Sequence, residues 1–373
     1  MSPSEPAVAL ERARRRTEEL LQRLSDDELT RQISPVQSPL VWDLAHIAHF
    51  EELWLVRQRG EPAILSDSDD LYDAFAHARP ERGRLPLLPP RAARAYMRDV
   101  RDAVLSRGDG RSLDSALVAM VVQHELQHRE TMAQTLALAG LPGPDPKRPP
   151  DVAASGSILV GGSSFTLGGA GVWSYDNEQP AHNMDLRPFR LDRALVTNGD
   201  YAAFVDGGGY HDRAVWSEEG WAWRRAERVE APLYWQLDDG RRSHRRFDAV
   251  EPLPQREPVQ HVSFYEAEAY ARWAGKRLPT EPEWEAAVKS SATEIEHARG
   301  AVWQWTASLF EAYPGFRPFP YREYSEPFFG GEYRVLRGGS WCTDPVVARV
   351  TFRNWDLPQR RQIFAGLRCA ADG

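Results

Sequence analysis

Apolar residues in the first 140 positions recur at helical intervals among charged ones, and after about position 150 that period is lost. Leu10, Leu20, Leu21, Leu24 and Leu29 mark an amphipathic helix and its exit over residues 8–32. After a break at Ser34-Pro35, Ser38 as N-cap and Pro39 in the first turn predict a second helix running through Trp42, Leu44, His46, His49, Leu53 and Trp54. A third is predicted over Ala92–Leu105. A fourth is predicted over Ser112–Ala139, where Leu117, Met120 and Val121 keep the period. Four helices joined by loops predict an antiparallel four-helix bundle.

The second half reads differently. Short apolar pieces alternate with Gly, Asn and Pro, and helices are expected only at Tyr265–Trp273 and Glu281–Val288, which describes an α+β module with much irregular structure. The stretch from Pro142 to Pro150 has the composition of a linker. The expected organisation is therefore a helical domain over 1–141, a Pro-rich linker over 142–156 and an α+β domain over 157–373.

Composition narrows the function classes. The 373 residues carry a net charge of −8, with 42% hydrophobic and 27% charged residues, which is ordinary for a globular protein and disfavours a nucleic-acid or acidic-membrane surface. Two cysteines, Cys342 and Cys369, give no disulfide framework. No apolar leader follows Met1 and no run reaches the roughly 18 apolar residues of a membrane span, so a cytoplasmic location is expected. The 13 tryptophans gather in the second half, which points to packed aromatics or a binding surface there.

The chemistry starts at Gln123-His124-Glu125-Leu126-Gln127-His128. Two imidazoles four residues apart share one helix face and make half of a metal site. The same residues satisfy the His-Glu-x-x-His pattern of zinc hydrolases, in which Glu125 would be the general base. A third ligand could come from His46 or His49, three residues apart on the second helix.

Several pieces of the second half then carry a resemblance: Phe165-Thr166-Leu167-Gly168, Asp176-Asn177-Glu178-Gln179-Pro180, Val196-Thr197-Asn198, Trp273 to Glu281, Arg337-Gly338-Gly339-Ser340-Trp341 and Ala365-Gly366-Leu367-Arg368. In this order they resemble the formylglycine-generating-enzyme (sulfatase-modifying-factor) family, a C-type-lectin-like fold. That family's founding activity uses two cysteines after the Gly-Gly-Ser element. Here Cys342 stands near the first place, but Val346, Val347 and the residues that follow offer no second thiol, so formylglycine generation is not expected. Cys369, in a core-like run, is expected to be packing.

The first half resembles a DinB-like bundle, whose members bind a metal through three histidines. Bundle and lectin-like module in this order resemble the ergothioneine sulfoxide synthases and their relatives, through Ser38 to His46, the His124/His128 stretch, and Phe352-Arg353-Asn354-Trp355-Asp356 running on to Arg360-Arg361-Gln362-Ile363-Phe364. The resemblance implies iron(II) held by His46, His124 and His128, with dioxygen as co-substrate. It takes the third ligand from upstream and makes Glu125 a bystander. It implies substrate contacts from Gln127, Asn354 and Trp355, the last two near a trimethylated ammonium, which suits an aromatic face. Asp356 and Arg360 would meet the charged ends of a sulfur donor, and Arg79 and Arg82 its carboxylates. Tyr321 would be the catalytic phenol and Tyr324 a binding residue, unless Phe319 takes the catalytic place.

The function this implies is oxidative carbon–sulfur bond formation at imidazole C2 of Nα-trimethylhistidine, with γ-glutamylcysteine or cysteine as donor, at a site expected at the junction of the domains. A short stretch at Lys289–Gly300 and the presence of Cys342 depart from the family and leave a selenosugar donor, as in selenoneine synthases, as the alternative.

Overall fold

The computed structural model describes residues 5–66, 68–106, 113–144, 148–238 and 240–373. The chain divides into two compact units, Met1–Asp145 and Pro146–Gly373. The predicted helix start at Ser112, and Asp145, Pro146 and Lys147 of the predicted linker, lie outside the described residues.

The first unit is helical: α1 (Glu5–Leu21), α2 (Asp26–Thr30), α3 (Leu40–Leu55), α4 (Asp69–Tyr72), α5 (Pro90–Leu105) and α6 (Ser115–Ala139). The single helix expected over residues 8–32 is two helices. Ser25 and Glu28 form a reciprocal capping box that starts a new helix after the turn following Leu21. At the start of α3 the expectation is off by one residue: Pro39 occupies the N-cap position, and the Ser38 hydroxyl instead accepts from Arg82 at 2.8 Å. α6 is capped by Asp114, whose carboxylate accepts from the Ala116 and Leu117 amides, and it ends at Gly140 in the left-handed conformation.

α3 packs on α5 and α6, and α1 packs on α6. The sequence of α3 explains its central place, since Leu40 through Glu52 is buried on every side. Its buried charges are paired. Arg14 of α1 donates to Glu51 of α3 at 2.8 Å and to Glu125 of α6 at 2.9 Å, and Arg101 of α5 reaches Glu51 at 2.6 Å and Glu125 at 3.5 Å. Burial alone would push the Glu51 carboxyl up, but the two guanidiniums hold it below its ordinary value.

The described residues of the second unit hold four sheets. β1 (Ser157–Val160), β4 (Phe189–Asp192) and β12 (Ala370–Asp372) pair antiparallel, with β4 central, and β2 (Ser164–Leu167) pairs with β3 (His182–Asp185). β5 (Trp235–Asp238), β6 (Arg241–Arg246) and β7 (Ala249–Pro252) form a meander. The fourth sheet runs in the order β10 (Asn354–Asp356), β9 (Arg334–Arg337), β8 (Trp303–Leu309) and β11 (Ala365–Gly366). Its helices are α7 (Asn198–Asp206), α8 (Glu218–Ala226), α9 (Phe264–Trp273) and α10 (Glu281–Ser291). α7 and α8 go beyond the expected two. Each is only nine residues long, too short for a clear period, and each starts from a side-chain cap, Thr197 and Ser217.

α10 organises the core. Its Trp284 is fully buried with Phe189, Leu191, Ile158 and Val288. Glu281 accepts from Arg353 Nε at 2.7 Å and from Arg337 at 2.6 Å, and Glu285 also pairs with Arg337. Arg353 immediately precedes β10, so the helix anchors the strand that begins at Asn354. Gly339 has φ 76°, and a Cβ there would stand 2.6 Å from that of Ala348, which is why the Gly-Gly-Ser element takes no side chain at this point.

Candidate metal centre and aromatic site

His46 of α3 and His124 and His128 of α6 converge, with ligand nitrogens all within 4.8 Å of one another. Helical spacing brings His124 and His128 to one face, with ring centroids 4.6 Å apart, and the packing of α3 on α6 adds His46. His46 Nδ1 lies 2.7 Å from the Tyr72 carbonyl and His128 Nδ1 lies 2.9 Å from Asp43 Oδ1. Those contacts fix two rings and leave their Nε2 atoms for a ligand, which is the way outer oxygen acceptors orient metal-binding imidazoles.

The rings are also held by stacking. Trp42 lies one turn before His46 at 4.5 Å and 14°, and Phe50 lies on His124 at 3.7 Å and 12°. Burial, then the neighbouring His128, holds His46 well below its ordinary pKa, and burial does the same for His124. Neutral imidazoles are the form a metal needs. Asp43 keeps its second carboxylate oxygen buried and unpartnered among the described residues. The donor set therefore fits a divalent transition metal with nitrogen ligands.

His49 is elsewhere. Its Nε2 faces Asp69 at 3.9 Å, and it does not join the cluster. Glu125 does not fit the hydrolase pattern, because both of its oxygens are engaged by Arg14 and Arg101 in the buried network. A base must reach substrate, and this carboxylate is committed to two cations.

Gln127 is partly buried on α6 next to His128. Arg79 is exposed and donates to the Val36 carbonyl at 3.3 Å. Arg82 is 5% exposed and lies 3.8 Å over the Trp42 ring, with bonds to Ser38 and to the His77 and Ala74 carbonyls. Burial brings its guanidinium down to about 10. Arg82, Trp42 and His46 thus form one stack.

In the second unit the structure gathers a different set. Trp355 of β10 is half-buried, with Phe310 parallel to it at 4.2 Å and 9° and Tyr324 edge-on at 5.6 Å. Tyr321 lies 6.3 Å from Tyr324, and Arg360 is 3.6 Å from Asp356. Asn354 opens the strand opposite Leu336. Cys342 and Cys369 are both buried, and burial pushes the Cys369 thiol up to about 12.

Residues 9–132 match the DinB superfamily, and residues 142–296 and 287–373 match the sulfatase-modifying factor enzyme 1-like domain. Hercynine oxygenase of Mycobacterium tuberculosis is 44% identical over 100% of this chain and 99% of its own length. The chain belongs to the hercynine oxygenase family. The Mycolicibacterium smegmatis hercynine oxygenase is also 44% identical, over 96% of this chain and 97% of its own length. The formylglycine-generating enzyme of Thermomonospora curvata is 35% identical over 61% of this chain. As a member of the hercynine oxygenase family the chain is an oxidoreductase, with a helical DinB region followed by a sulfatase-modifying-factor-like domain. Among the described residues no helix is long and apolar enough to cross a membrane.

Sequence reasoning missed four supports of the three-histidine cluster: Trp42, Asp43, Phe50 and the Tyr72 carbonyl. A signal existed for the first three, since Trp42, His46 and Phe50 recur every four residues and Asp43 is an acid in an apolar helix.

Proposed function

We propose that this chain is an oxygen-dependent iron(II) enzyme that joins the sulfur of a thiol donor to C2 of the Nα-trimethylhistidine imidazole and leaves the product as a sulfoxide. The observation that carries the reading is the three-histidine cluster with oriented rings, two buried and the third partly so, in a chain similar along its whole length to hercynine oxygenases. The balance needs no outside reductant. Thiol S–H and imidazole C2–H are lost, the carbon–sulfur bond forms, one oxygen atom goes to sulfur and the other leaves as water.

Iron(II) held by His46, His124 and His128 would supply the redox chemistry for dioxygen. The half-buried Trp355 ring suits a trimethylammonium, which has no hydrogen to donate and is drawn to an aromatic face. Asn354 would bind beside it, and Gln127 would donate to the substrate imidazole. Tyr321 is the phenol assigned to hold and deliver the proton, with Tyr324 as a binding residue. Asp356 and Arg360 would meet the donor's ammonium and carboxylate ends, and Arg79 and Arg82 its outer carboxylate. Cysteine or γ-glutamylcysteine satisfies these charges.

A selenosugar donor is the second reading. It is favoured by the insertions its relatives carry: the alignment to the Mycobacterium tuberculosis protein spans 435 positions, against 373 residues here. A donor pocket differing in its loops is the natural consequence of such a difference.

The test is anaerobic incubation of the full chain with iron(II), Nα-trimethylhistidine and each donor, followed by oxygen and mass spectrometry. One donor should give an adduct that retains one oxygen atom from dioxygen. Absence of an adduct with every donor overturns the assignment.

A further inference from the structure

The turn Tyr175–Glu178 belongs to none of the roles above, yet all four residues are buried at 5% exposure or less. Asp176 accepts from the Ser325 hydroxyl at 2.5 Å and from the Asn177 backbone N–H at 2.7 Å. Asn177 Nδ2 donates to the same Ser325 oxygen at 3.0 Å, and Ser325 is itself fully buried. The Tyr175 ring is stacked on Tyr324 at 4.1 Å and 16°, and the two hydroxyls share a hydrogen bond. The contacts to Tyr324 and Ser325 fall three and four residues after Tyr321, on the segment that carries it.

The turn also bonds to residues 349–353, which lead into the strand that carries Trp355. The Asn177 carbonyl accepts from Arg353 at 2.9 Å. Glu178 accepts from Thr351 at 2.5 Å and from Arg349 at 2.6 Å. One turn therefore ties the tyrosine segment to the approach of Asn354-Trp355-Asp356. Holding a carboxyl here is costly, since burial raises Asp176 from 3.8 to about 6. Costly buried acids concentrate where geometry must be held for function.

We propose that Asp176 and Ser325 are positioning residues that fix the segment bearing Tyr321 against the strand bearing Trp355, so that phenol and substrate keep one separation. The proposal deepens the functional reading and rests on Tyr321 being the proton donor. A phenol displaced by about 1 Å loses productive geometry, and rate with it, while binding through Trp355 persists.

Two shape-preserving variants test it in the full iron-loaded chain, Ser325→Ala and Asp176→Asn. Hydrogen exchange followed by mass spectrometry should show faster exchange in peptides covering 316–329 and unchanged exchange in those covering α10. In the adduct assay, kcat should fall at least tenfold with KM for trimethylhistidine within threefold and iron affinity unchanged, and the double variant should be no slower than the worse single one. A purely structural role would instead raise exchange across the unit or move KM with kcat. Unchanged exchange in 316–329, or kcat within twofold of the parent, overturns the proposal. A parent chain that forms no adduct overturns the functional reading on which it rests, and the exchange data then still decide whether the turn holds the segment.

Discussion

At the scale of single residues, Asp176 carries the clearest pH signature. Its folded carboxyl, raised by burial to about 6 from 3.8, holds its proton at pH values where the unfolded chain has lost it. Between about pH 4 and pH 6 the folded state therefore binds more protons, and stability from this group falls as pH rises through that window. Asp176→Asn removes the term. Its stability relative to the parent should increase from pH 4 to pH 7, read from denaturation midpoints at each pH, and a constant difference would show that the carboxyl does not titrate there. Residue legibility followed residue type. His46, His124 and His128 could be picked out because imidazoles at helical spacing are rare and chemically marked. Asp43 stood out as an acid in an apolar helix, but its pairing could not be read because His128 lies 85 positions away, and the Tyr72 acceptor could not be read because a backbone carbonyl looks the same at every residue.

At the scale of elements, the buried network of Arg14, Glu51, Arg101 and Glu125 joins α1, α3, α5 and α6. The three clustered histidines stand on two of the same helices, so the network bears on how α3 and α6 meet. Glu125→Ala would leave two buried guanidiniums with one buried carboxylate, Glu51, and the exposed Glu11 at 3.5 Å from Arg101. Removing one member of a buried ion network costs about 3–5 kcal/mol, so the denaturant midpoint should fall accordingly, and a loss near zero would mean the pairs are solvated. The elements themselves were unevenly legible. Long helices with many turns declared their period, whereas α2 and α4, each of five residues or fewer, and the nine-residue α7 and α8 are set by caps and tertiary contacts. β10 was recognisable only through the motif it carries, since three residues have no period to read.

At the scale of the whole molecule, a helical unit offers a preformed set of three imidazoles, and a ligand that binds only the folded state stabilises it by mass action. Free metal at a hundred times its dissociation constant should add about 2.7 kcal/mol. Iron(II) under argon, or cobalt(II) as a stable substitute, should therefore raise the thermal midpoint of the full chain in proportion to the logarithm of metal concentration. His46→Ala should abolish that shift, because two ligands on one helix remain and the third came from α3. His49→Ala should keep it, because the His49 ring faces Asp69 and lies outside the cluster. The two histidines sit three residues apart on one helix, so the comparison holds composition and helix content almost constant and varies only which ring meets α6. A shift lost in His49→Ala and kept in His46→Ala would reassign the third ligand, and a shift kept in both would place the metal away from this cluster.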